Sequence, residues 1–78
     1  MKPEIQEIIG KTIKGVVVAK GLRGPQSQLF LIFKDNTFYE IYSDDNISGA
    51  SQAKKGDIRV VLKSIPPENE VVQRFLRK

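Results

Sequence analysis

The sequence predicts an α+β fold: an antiparallel three-stranded meander over residues 12–43, a short N-terminal helix before it and two C-terminal helices after it. Three observations carry that prediction. Apolar runs flank Asp35-Asn36, two residues whose side chains tolerate a positive φ, which signals a hairpin. The β-branched run Val16-Val17-Val18 suits a pleated surface. In Glu68 to Lys78, Val71, Val72, Phe75 and Leu76 recur at helical spacing. Arg74, Arg77 and Lys78 lie toward the C-terminus of that stretch, where basic groups favour a helix dipole.

Each element has its own local reason. Pro3 to Ile9 reads as a helix: Pro3 suits the first turn, Glu4 and Glu7 suit the N-terminus, and Gly10 suits the stop. Its Ile5, Ile8 and Ile9 share one face. Thr12 to Lys20 is the first strand, Gly21 to Gln26 a loop, Ser27 to Lys34 the second strand and Thr37 to Ser43 the third. A two-residue turn at Asp35-Asn36 sets Phe33 opposite Phe38 and Phe30 opposite Ile41. One face then holds Phe30, Ile32, Tyr39 and Ile41. The other holds Leu29, Leu31, Phe33, Phe38, Tyr42 and a single charge, Glu40.

Residues 43–51 are rich in turn formers and read as a loop. Asp57 to Ile65 fits two states. Ile58, Val61, Leu62 and Ile65 follow helical spacing behind Asp57, a good N-cap. Ile58, Val60 and Leu62 also alternate as in a strand. Helix is the first reading. The runner-up makes residues 58–64 a strand and closes a small SH3/Sm-like β-barrel. Pro66-Pro67 ends the element in either case.

Composition narrows the chemistry. A chain of 78 residues is one domain, residues 1–78, with a small core. It has no cysteine and no histidine, which removes thiolate nucleophiles, redox motifs, His-based triads and the commonest metal ligands. The longest apolar run, Leu29 to Phe33, is five residues, against about 20 for a bilayer span. Met1 to Gly10 lacks a signal-peptide pattern. The expectation is a cytoplasmic chain with no cofactor and no membrane contact.

Charge is segmented. Residues 1–24 carry net +3, residues 25–53 net −3 and residues 54–78 net +4, giving +4 for the whole. Complementarity within one fold accounts for such a pattern. A patch built from Lys54, Lys55, Arg74, Arg77 and Lys78, supplemented by Lys2, Lys11 and Lys14, would instead suit RNA or DNA.

Four local features invite a chemical reading. Gly21-Leu-Arg-Gly24 matches a GxxG clamp, but it joins two strands where such a clamp joins helices. Asp44-Asp45-Asn46 offers oxygens, yet lacks the spread of an EF-hand loop. Glu40 sits on an apolar face without a second catalytic group beside it. Phe33, Phe38 and Tyr42 form an aromatic row near Lys34, on a strand pair that is acidic overall. Ile9-Gly-Lys-Thr-Ile13 and Leu31-Ile-Phe-Lys-Asp-Asn36 together resemble the start of Sm-like RNA-binding barrels. That resemblance covers under half the chain. Its second signature, an Arg-Gly pair, would fall at Ile47-Ser48-Gly49, where Ser48 replaces the arginine. It implies the barrel as the runner-up fold.

These readings converge on a small interaction module without catalysis, which self-associates or binds a protein partner. The expected interface is Leu29, Leu31, Phe33, Phe38 and Tyr42, and the expected assembly is a homodimer. Nucleic-acid binding through basic residues from both termini is the alternative.

Overall fold

The computed structural model of the protein describes residues 6–43 and 50–77. Among the described residues the architecture is a five-stranded antiparallel sheet with one short helix packed on it. The elements in chain order are β1 (Ile13–Lys20), β2 (Ser27–Phe33), β3 (Thr37–Ser43), β4 (Ala50–Lys55), α1 (Ile58–Lys63) and β5 (Glu70–Leu76). Across the sheet the order is β4-β3-β2-β1-β5, so the last strand returns to lie beside the first.

This corrects the α+β expectation in two places and excludes its runner-up. The terminal segment is a strand, not a helix: β5 pairs with β1, setting Val16 against Phe75 and Val18 against Gln73. Its apolar residues satisfy helical spacing, but the open edge of β1 offers a ladder of hydrogen-bond partners, and tertiary pairing overrides local propensity. The expected three-stranded meander is extended by a second added strand. Ala50–Lys55 pairs along β3, although Ala-Ser-Gln-Ala-Lys-Lys has no strand signature of its own. The runner-up's strand at residues 58–64 is absent as well, because that segment is α1. For the expected N-terminal helix, Gln6 and Glu7 are helical and a turn follows; residues 1–5 lie outside the described residues.

Local chemistry does set α1. Asp57 is its N-cap, accepting from the Arg59 backbone N–H at 2.9 Å, and its carboxylate pairs with the Arg59 guanidinium at 3.0 Å. Val61 points into the core and is fully buried, with Ile58 and Ile65 packed beside it.

The central correction concerns register. The β2–β3 connection holds three residues, Lys34, Asp35 and Asn36, with Asn36 in the left-handed region at φ 62°. Ile32 therefore faces Phe38, and Leu31 faces Tyr39. A one-residue slip moves a whole strand's side chains to the opposite face. Phe38 and Glu40 consequently join Phe30 and Ile32, whereas Tyr39 and Ile41 join Leu29 and Leu31.

Register pairs then define rows across the sheet. On the helix side run Leu76, Gly15, Ile32, Phe38 and Lys54, and beside them Arg74, Val17, Phe30, Glu40 and Gln52. Val17, Phe30, Ile32, Phe38 and Val61 form the core, and the Phe30 and Phe38 rings meet at 6.0 Å between centroids, tilted by 59°.

Two polar clamps tie the loops down. Asn69, just ahead of β5, accepts from the Arg23 N–H at 3.0 Å and donates to the Arg23 and Pro25 carbonyls at 2.8 and 3.1 Å. It lies so close to Gly21 that a Cβ there would come within 2.8 Å of the Asn69 Cα. At the other end, the Lys11 ammonium donates to Thr37 Oγ1 at 2.8 Å and meets Asp35 at 3.0 Å, while Thr37 donates to Asp35. Gly56 donates its N–H to the Asn36 carbonyl at 2.7 Å, binding the exit of β4 to the same turn. With φ at 140° and Val60 within 2.7 Å of a would-be Cβ, position 56 excludes side chains.

Two outcomes follow from the turn. Asn36→Gly should keep or slightly raise the melting temperature, while Asn36→Val should cost about 1–2 kcal/mol, since a β-branched residue resists this conformation; equal melting temperatures would refute the left-handed assignment. The Thr37 hydroxyl, then Lys11, hold the Asp35 carboxyl below its ordinary value of 3.8, and Arg59 does the same for Asp57. A carboxyl lowered by folding stabilises above its unfolded pKa, and that contribution fades as pH falls through the folded one. Thermal melts across an acid series should therefore decline below about pH 4, and less so for Asp35→Asn.

Candidate interaction surface

The sheet has two unlike faces. Opposite α1 runs a second pair of rows: Phe75, Val16, Leu31, Tyr39 and Ala53, then Gln73, Val18, Leu29 and Ile41. Val16, Val18, Leu29 and Leu31 are half-buried, and Tyr39 is buried. Toward the edge Phe75 is 64% exposed. β5 is exposed at every position, with Val71, Val72 and Leu76 each open to solvent by more than a third of their surface.

The five residues expected to form an interface are thus divided. Leu29 and Leu31 do lie together on the open face. Phe38 and Tyr42 lie on the helix face, and Phe38 is fully buried. Phe33 is buried too, with the Lys11 ammonium 5.5 Å from its ring centroid. On the open face Ile41 and Phe75 take their place, while Val71, Val72 and Leu76 add exposed apolar surface along the β5 edge. The β-branched pair Val71-Val72 was the available signal for β5, and the helical spacing of its neighbours obscured it.

Glu40 has a structural role instead of an isolated place on an apolar face. It is buried, accepting from Gln28 Nε2 at 2.9 Å and from Gln52 Nε2 at 3.4 Å. Gln28 Nε2 also reaches the Ser64 carbonyl at 3.2 Å, so the network fastens the end of α1 to the sheet. Gln28 Oε1 has no partner among the described residues. Such a network is costly to break on one side and cheap to replace whole.

The Gly21–Gly24 segment is the loop held by Asn69. Asp44-Asp45-Asn46 and Ser48 lie outside the described residues, as does Lys78. Among the described residues, no group of three or more His, Cys, Asp or Glu side chains could hold a metal ion. No helix among them is long and apolar enough to cross a membrane.

The basic residues are gathered by strand direction. Lys54 and Lys55 end β4, whereas Arg74 and Arg77 belong to β5 and its exit, at opposite edges of the sheet. Four inter-strand steps separate these edges, about 19 Å at roughly 4.8 Å each. Antiparallel pairing nevertheless brings the start of β1 and the ends of β2, β4 and β5 to one end of the sheet.

Truncating Glu40→Ala should lower stability by about 1–3 kcal/mol by stranding the buried Gln28 amide. Replacing Gln28 and Glu40 together by Met and Leu should cost clearly less than the two single changes combined, measured by urea unfolding; additive costs would deny the coupling. The chain matches no protein-family model, no curated protein and no solved structure.

Proposed function

We propose that the protein is a non-catalytic interaction module that pairs with a second copy of itself through β5 and the adjoining open face. The observation that carries this reading is the exposure of β5 along its whole length despite four large apolar side chains. An unpaired edge strand presents backbone donors and acceptors to another chain, and native folds ordinarily blunt such edges. Burying one Val, Leu or Phe completely contributes roughly 1.5–3 kcal/mol. Only part of each β5 side chain remains to be buried, so two copies together yield about 5–10 kcal/mol. That is comparable with the rigid-body cost of association, and edge hydrogen bonds supply the surplus. The balance suits a dimer that dissociates in the micromolar range.

Sedimentation velocity tests it. A mass above the monomer's 8.8 kDa should appear as concentration rises through the micromolar range. Phe75→Glu should abolish the shift with the melting temperature little changed, since Phe75 is exposed. Phe38→Glu should unfold the chain, because a charge cannot be buried in that core. A monomer throughout, or a dimer indifferent to Phe75→Glu, would sink the proposal.

A further inference from the structure

The basic end of the sheet is a separate surface from β5's apolar side chains. Three neighbouring clefts line it. The first, about 420 Å³, is bordered by Lys11, Thr37, Lys54 and Lys55, with Glu7 and Ala53. The second, about 310 Å³, is bordered by Gly10, Lys11, Thr12 and Lys34, with Phe33 and Asp35. The third, about 390 Å³, is bordered by Thr12, Ile13, Lys14, Lys34 and Arg77. Lys11 belongs to the first two, and Thr12 and Lys34 to the last two, so they join into one groove across the strand ends.

Its charge is lopsided. Lys11 is occupied by Asp35. Lys14, Lys34, Lys54, Lys55 and Arg77 form no ion pair among the described residues. Glu7 is the one further carboxylate lining the groove. These cations come from four separate stretches of sequence, and the sheet's connectivity places them in a row. The Arg77 N–H bonds to the Lys14 carbonyl at 2.7 Å and the Lys34 N–H to the Thr12 carbonyl at 3.1 Å, so three of the segments are fixed to one another by backbone.

We infer that this groove binds the phosphate backbone of a single-stranded nucleic acid without sequence preference. A row of cations about 19 Å long, drawn from four of the five strands' ends, matches a chain of repeated monoanions better than it matches one compact anion. Duplex readers insert a helix or ribbon into a groove. Here α1 has six residues and packs on the sheet face. Phe33, the one aromatic residue lining the clefts, is buried, so base stacking within the groove is absent and specificity with it.

Fluorescence anisotropy of the full chain with a labelled mixed-sequence single-stranded RNA reads this directly. Five unpaired cations give a slope of log affinity against log salt near −3.5, or about a hundredfold loss between roughly 50 and 200 mM. Changing Lys14, Lys34 and Arg77 together to Gln should weaken binding at least tenfold at low salt. It should also flatten the slope by about two units, at roughly 0.7 for each lost contact. Changing Lys20 and Arg23, at the opposite end of the sheet, to Gln should leave the slope unchanged. Circular dichroism melts confirm that each variant folds; should the triple variant not fold, Lys34→Gln with Lys55→Gln takes its place. No binding at about 50 mM salt, equal losses from the two ends, or tighter binding to a duplex of the same length would overturn the inference. Because Phe75→Glu leaves the groove intact, loss of dimerisation and loss of RNA binding are read apart.

Discussion

The register between β2 and β3 is the constraint on which the rest of the molecule depends. One extra loop residue, Lys34, in a turn closed by Asn36 in the left-handed region, decides which side chains of β3 share a face with Phe30 and Ile32. The described residues include one helix, and it seals one face around Val61. Phe38 completes the core only in this register. The same register carries Glu40 inward, so the carboxylate must be met by amides, and Gln28 and Gln52 meet it. The lysine–carboxylate–hydroxyl cluster of Lys11, Asp35 and Thr37, together with the Gly56 N–H, braces the turn from outside. Turn, core and polar network are therefore one decision expressed three times.

That decision also accounts for the unlike faces. Helix-side rows contain the core aromatics Phe30 and Phe38 and the buried polar groups Gln28 and Glu40. Rows on the other side hold mainly aliphatic residues, half covered by their neighbours in the sheet, with Tyr39 buried among them and Phe75 open at the β5 edge. A chain this short cannot cover both faces of five strands equally. The uncovered apolar surface accordingly collects at the edge farthest from β4, where contact with another molecule costs the least rearrangement.

Part of this architecture was legible before any coordinates. β1, β2 and β3 carry β-branched and aromatic runs, and their bounds agree with the pattern to within a residue or so. Asp57 announced α1 because capping is local chemistry. β4 and β5 were not legible as strands, because their state is imposed by the edges they complete. Ala-Ser-Gln-Ala-Lys-Lys is a strand only in the presence of β3. The hairpin was visible but its length was not: Asp35 and Asn36 both accept turn geometries, and whether Lys34 belongs to the strand or the loop depends on long-range packing. The interface residues were sorted wrongly for that reason alone. The basic residues were identified individually, and their shared end emerged only once strand direction was known.

Strand order has a consequence for how the sheet is made. β1 to β4 pair with their sequence neighbours and can assemble hairpin by hairpin, whereas the β1–β5 ladder joins residues as distant as Gly15 and Leu76. Closing so long a loop is slow, and contacts of this kind govern folding rate. During synthesis β5 is the last strand of this sheet to emerge, so the edge of β1 stands bare in the interval. That edge is the valine run at residues 16–18, a strand-forming stretch without charge. The time between completing the first four strands and docking the fifth is thus the interval in which the nascent chain is most prone to pair with another copy in the wrong way.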